Sequence, residues 1–193
     1  MDFILASASP RRKSILEKFI NFRVEVSKIS EDKQFYKSSQ SIVMGLAFEK
    51  AHSIAKERED ALVIGADTLV DLEGRVLGKP KNMDDAEKMI RAMSGKKHSV
   101  YTGLALVNLK LNKKIISFEK TDVIFKTLSE REIANYMGNA DYMDKAGAYG
   151  IQDEAGLFVE KIVGDYFNVM GLPICLLNKL LIRHFDINLL EEV

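Results

Sequence analysis

The chain has 193 residues, enough for a sizeable core. Its 28 Lys and Arg balance 28 Asp and Glu, so formal net charge is zero and no global electrostatic footprint points to nucleic acid or an anionic membrane. The single cysteine, Cys175, excludes an intramolecular disulfide, and the longest apolar stretch, Leu172 to Ile182, is too short to span a bilayer and is interrupted by Asn178 and Lys179.

The N-terminus leads directly into a strand with no signal-peptide pattern, which gives the expectation of a cytoplasmic protein. Ile4 to Leu16, ILASASPRRKSIL, reads as a buried strand, a tight polar turn and a helix start. Ser9 is a good N-cap, and Pro10 suits the first helical position, where its missing N–H costs nothing. Arg11, Arg12 and Lys13 fall in a first turn whose dipole disfavours cations. Free backbone N–H groups and two guanidinium forks there suit a phosphate. A solvated basic helix start is the competing account.

Phe22 to Val26 alternates as a short strand, and the polar loop after it carries Glu31 and Asp32 as adjacent carboxylates. These are solvated loop charges or oxygen ligands for a hard divalent cation. Ser41 to Arg58 is a long helix in which Lys50 falls near the middle of the apolar stripe, snorkelling outward or reaching an anion at the core edge. Ala61 to Gly65 is an apolar run suited to a central strand, and Asp67 is expected just beyond its end, where ligands collect in α/β sheets or where an Asp caps a turn. Leu69-Val70 and Val76-Leu77 flank the Glu73-Gly74 turn as a hairpin, and Lys79 is held between Gly78 and Pro80.

A helix opens near Asp84 and stops at Gly95. His98 is expected to be structural or at a substrate edge. Two long strands follow, and Ser129 with Glu132 forms a capping box for a helix to about Met137. Asp141 to Gly156, DYMDKAGAYGIQDEAG, has glycines at 147, 150 and 156 around Gln152 and reads as a tight loop in which backbone approaches something closely. Leu157 to Val163 is a strand. Pro173 starts a last helix with Ile174, Leu177 and Leu181 inward, in which Cys175 is expected as a buried structural thiol.

The polar singletons share one chemistry. Cations at Arg11, Arg12, Lys50 and Lys79, carboxylates at Glu31 and Asp67, and the Gln152 amide suit a phosphate–metal complex with a nucleobase edge. In order along the chain, SASPRR, LAFEKA, GADT, GKP, SGKKHSVYTG, AGAYGIQ and, after Gly164-Asp165, NVMGLP resemble the Maf family of nucleoside triphosphate pyrophosphatases, from about Ile4 to Pro173.

The resemblance implies a single α/β domain with a long curved mixed sheet flanked by helices, similar to inosine triphosphatases, and an active site in a cleft between two lobes. It implies hydrolysis of a nucleoside triphosphate to monophosphate and pyrophosphate with a divalent cation, Mg²⁺ or Mn²⁺. Asp67 becomes the reaction's carboxylate, as proton acceptor or chiefly as metal ligand. Glu31 matches an acidic metal position, with Ser30-Glu31 in place of the family's Asp-Glu. Ser7, Arg11, Arg12, Lys50 and Lys79 would hold the triphosphate. Arg11, Thr68 and Gln152 match the branch resembling dTTP/UTP pyrophosphatases, with a house-cleaning role on dTTP, UTP or modified pyrimidine nucleotides. The other branch, acting on 7-methyl-GTP, has Gln and Glu in place of that Thr and Gln, and a carboxylate suits its cationic base. A homodimer is expected, with a small-molecule nucleotide and neither nucleic acid nor membrane as partner. The alternative is a nucleotide-responsive regulatory binding protein linked to septum formation.

Overall fold

The computed structural model describes residues 1–29 and 36–192. Strands and helices follow in the order β1 (Phe3–Leu5), α1 (Pro10–Leu16), β2 (Arg23–Val24), α2 (Ser39–Ala55), β3 (Leu62–Leu72), β4 (Arg75–Leu77), α3 (Met83–Met93), β5 (Lys97–Asn108), β6 (Lys113–Phe125), α4 (Glu130–Asn139), β7 (Val159–Val163), α5 (Tyr166–Met170) and α6 (Ile174–Phe185). Seven strands form one mixed sheet in the order β2-β1-β3-β5-β6-β7, with β4 also on β3. The β1–β2 and β1–β3 pairs are parallel, whereas β3–β4 and β6–β7 are antiparallel. The expected mixed α/β class is observed.

The chain divides into two compact units, Met1–Asp67 with Thr102–Glu119 and Gly171–Val193, and Thr68–Tyr101 with Lys120–Met170. In the first unit, α1 starts as its sequence dictates: Ser9 is extended, and its hydroxyl accepts from the Arg12 N–H at 3.4 Å. With only seven residues, this helix places Lys13 in its last turn, so the adverse dipole falls on Arg11 and Arg12 alone. Helix α2 begins at Ser39, earlier than the expected Ser41, because Ser38 and Ser41 form a reciprocal capping box. It closes at Ala55 rather than Arg58, as the Glu57 and Arg58 N–H groups turn back to the Ile54 and Ala55 carbonyls.

Helix α2 meets the sheet through small residues. Ala47, Ala51 and Ala55 are fully buried beside Ile4, Val63 and Ala105. A Cβ on Gly65 would lie 2.2 Å from the Ala47 carbonyl oxygen, and one on Gly103 would lie 2.1 Å from that of Val43. These two glycines let the helix backbone approach both β3 and β5.

Three expectations need correcting. Strand β3 does not end at Gly65. It pairs with β1 through Leu62–Ile64 and with β4 through Val70–Leu72, so a second ladder takes over beyond the first, and Asp67 lies within the strand. Strand β2 is shorter than Phe22–Val26, for both of its residues are exposed at the sheet margin. Cys175 is exposed, not buried. The inward face of α6 is Ile174, Leu177 and Leu181, and residue 175 is turned about 100° away from Ile174.

The second unit holds a core of Val70, Leu77, Ile90, Met93, Val100, Phe125, Ile133 and Phe158. Ser129 and Glu132 form the expected capping box on α4. Strand β7 starts at Val159 because Glu154–Phe158 is a 3-10 turn. Helix α5 adds an unforeseen short turn, begun where the Asp165 carboxylate accepts from the Phe167 N–H at 2.8 Å. Among the described residues, no helix is long and apolar enough to cross a membrane.

Candidate active site

In the first unit, two expected groups lie on or just beyond adjacent parallel strands. Leu5 lies opposite Ile64, and the Ala6 N–H still bonds the Ile64 carbonyl at 2.8 Å. Ser7 lies just beyond the end of β1, and Asp67 lies within β3. Ser7 is buried, and its hydroxyl accepts from Arg12 Nη1 at 3.0 Å. Arg12 Nε donates to the Gly171 carbonyl at 2.8 Å. This guanidinium is therefore aimed in part by a carbonyl remote in sequence. Arg11 is half-buried in the first turn of α1.

Lys50 does not simply snorkel. Close packing of α2 on Gly65 brings its Nζ to 2.6 Å from Asp67 Oδ1, with the two side chains only 14% and 11% exposed. An ion pair this enclosed has lost most of its hydration, so the Asp67 carboxylate leans on Lys50. The pair engages one oxygen of Asp67, and a carboxylate has a second.

In the second unit, Thr68 is half-buried, whereas Lys79 and Gln152 are exposed. The Gly78-Lys79-Pro80 turn is tied to the glycine loop, since the Gly147 N–H donates to the Gly78 carbonyl at 2.9 Å. Gly147 has φ +69, and a Cβ there would come within 3.0 Å of Val70. Ala148 also has positive φ, at 61°, which strains an L-residue, and its carbonyl is held by the Tyr136 hydroxyl at 3.0 Å. The expected close backbone approach is thus made within the protein itself. Gln152 Nε2 donates to Asp153 Oδ2 at 2.9 Å.

His98 is structural. It is 2% exposed, packs edge-on against Phe125 and Tyr149, and has Nε2 2.9 Å from the Tyr149 hydroxyl. Burial pushes its pKa down to about 4 and that of the Tyr149 hydroxyl up. Glu31 lies outside the described residues.

The profile of the family described as Maf-like protein matches residues 2–184. The chain belongs to the Maf-like family. Among Maf-like relatives, a dTTP/UTP pyrophosphatase of Clostridioides difficile (strain 630) is 49% identical, covering 100% of both chains. One of Alkaliphilus oremlandii (strain OhILAs) is 49% identical over 97% of this chain and 98% of its own. One of Thermoanaerobacter sp. (strain X514) is 47% identical over 98% and 100%. Among solved structures, the Staphylococcus aureus Ham1 protein aligns with TM-score 0.46 and 12% identity over 65% of this chain and 72% of that one.

Two parts of this Maf-like chain were invisible to pattern reading. The Gly171 carbonyl that aims Arg12 is 159 residues away in sequence. Lys145 is 5% exposed among aspartates of the glycine loop, and the one available signal was its position amid Asp141, Asp144 and Asp153.

Proposed function

We propose that this protein hydrolyses dTTP and UTP to the monophosphate and pyrophosphate. The observation that carries this is the enclosed pair of Lys50 on α2 with Asp67 in the middle of β3, in the same compact unit as the Ser7–Arg12 bond. A carboxylate and a lysine paired there suit a triphosphate, and relatives named dTTP/UTP pyrophosphatase over nearly the whole chain support the pyrimidine branch.

In this reading, water attacks the α-phosphorus, a new P–O bond forms, and the bridging oxygen leaves with pyrophosphate. Arg11, Arg12, Lys50 and Lys79 take up charge on the phosphate oxygens, most where it grows on the departing group. Substrate phosphate competes with Asp67 for Lys50, and the released carboxylate then takes up the water's proton or holds the cation. Ser7 orients Arg12. Thr68, Arg11 and Gln152 select the base.

Among the described residues, no cluster of three or more His, Cys, Asp or Glu could hold a metal ion. Mg²⁺ is commonly held by one or two carboxylates plus substrate phosphates. Asp67 and Glu31 would hold it. Mg²⁺ or Mn²⁺, when bound, supplies charge neutralisation on the phosphates. The same reading places the protein in the cytoplasm, as a homodimer with a nucleotide substrate and no nucleic-acid partner, in keeping with its zero net charge.

The test is incubation with Mg²⁺ and dTTP, UTP, CTP, GTP or 7-methyl-GTP, with products resolved. Monophosphate and pyrophosphate from dTTP and UTP are expected. Turnover of 7-methyl-GTP instead overturns the branch. Release of diphosphate and inorganic phosphate overturns the reaction. Binding without turnover favours the regulatory reading.

A further inference from the structure

Lys145 is out of place for a lysine. Its side chain is 6% exposed, whereas Asp141, Asp144 and Asp153 around it are 83%, 43% and 39% exposed. Lys145 Nζ lies 2.9 Å from Asp144 Oδ1, 3.4 Å from Asp141 Oδ2 and 3.8 Å from Asp153 Oδ2, and it also donates to the Asp141 carbonyl. A buried ammonium with several acceptors is a fixed point from which a loop can be hung.

Asp153 connects that point to Gln152. Its Oδ2 faces Lys145 and also accepts from Gln152 Nε2 at 2.9 Å. Its backbone is held on both sides, with its N–H on the Gly150 carbonyl at 3.1 Å and its carbonyl accepting from the Gly156 N–H at 2.9 Å. Gly150 leaves room for the arrangement, since a Cβ there would lie 2.4 Å from Asp153 Oδ2 and 2.9 Å from Lys145 Cε.

The chemistry of the pair sets the orientation of the amide. An ionised carboxylate only accepts hydrogen bonds, so the Gln152 atom against Asp153 must be the NH₂. The Gln152 carbonyl oxygen is then the atom offered to a ligand. Uracil and thymine carry an N3–H donor, which that oxygen can accept. Cytosine carries a lone pair at N3, which it repels.

We propose that Asp153, anchored by Lys145, is a positioning residue that holds the Gln152 carboxamide carbonyl-outward and thereby selects the uracil and thymine imide over cytosine. The inference rests on the pyrimidine triphosphate reading above. Asp153→Asn gives Gln152 a neighbour that can donate as well as accept, so the amide is free to turn over and present NH₂. Asp153→Ala removes the constraint, and Asp153→Glu keeps the acceptor.

The experiment measures kcat/KM for UTP and CTP in the wild type and these three variants, with thermal unfolding of each. The ratio of UTP to CTP is expected to fall about tenfold or more in Asp153→Asn, less in Asp153→Ala and least in Asp153→Glu, in line with the discrimination available from one hydrogen-bonding group. Asp153→Asn should lose on UTP through KM while gaining on CTP. An unchanged ratio in both Asp153→Asn and Asp153→Ala overturns the inference and leaves the pyrophosphatase reading intact. Equal losses on the two nucleotides mean a purely structural role and overturn it too. A wild-type protein that releases no pyrophosphate from UTP overturns both.

Discussion

Lys50 on α2 and Asp67 in the middle of β3 are ion-paired at 2.6 Å, both nearly enclosed. Removing Lys50 takes away the ion-pair partner of a nearly enclosed carboxylate, at a cost of up to about 3 kcal/mol. Lys50→Met and Asp67→Asn should each lower stability, and the double variant should recover part of the loss. Urea unfolding of the four proteins measures the coupling. In turnover assays, Asp67→Asn should lose a factor of about 10² to 10⁴ in kcat.

Gly65 is what allows that pair to meet. Alanine there would put a Cβ 2.2 Å from the backbone oxygen of Ala47, and a backbone oxygen cannot swing aside. Gly65→Ala should cost on the order of 3 kcal/mol and shift α2 off the sheet. Turnover should then fall even under conditions where the variant remains folded. Calorimetry with activity on the same sample tests this, and a variant as stable and active as wild type contradicts the packing described.

His98 makes stability depend on pH. Burial holds its pKa at about 4 in the fold against an ordinary 6.5, although Asp122 pulls upward. Between these values the unfolded chain binds a proton that the folded chain does not. Stability should therefore fall as pH drops from 6.5 to 4, by at most about 3 kcal/mol from this group. Unfolding at about pH 7 and about pH 4.5 should show the loss in the wild type and a smaller one in His98→Gln.

Arg12 donates to the Gly171 carbonyl and to Ser7 through different nitrogens of its fork. Lysine offers a point charge and cannot span both. Arg12→Lys should raise KM for UTP about tenfold, with a small change in stability. If KM is unchanged, Arg12 does not hold the triphosphate.

Chelation should stop turnover, and added Mg²⁺ should restore it. In this reading the cation serves the substrate and not the fold, so the chelated protein should melt within about one degree of the untreated one. A large loss of stability on chelation would point to a resident structural metal instead.

Much of this protein is determined by local sequence. Ser9-Pro10 and Ser129-Glu132 start helices through bonds made within a single turn, and these starts are legible because all the partners are neighbours. The ordered motifs were enough to indicate the family. Tertiary structure decided what depends on distant partners. Strand β3 continues past Gly65 because β4 supplies a second ladder, and so Asp67 sits within a strand rather than after one. Lys50 meets Asp67 because Gly65 and Ala47 let two backbones approach. Arg12 is aimed by a carbonyl near the other end of the chain. Lys145 lies buried among aspartates, with Gly150 packed against its side chain. Each of these rests on desolvation or on a contact between segments far apart in sequence, and periodicity and propensity carry no record of either.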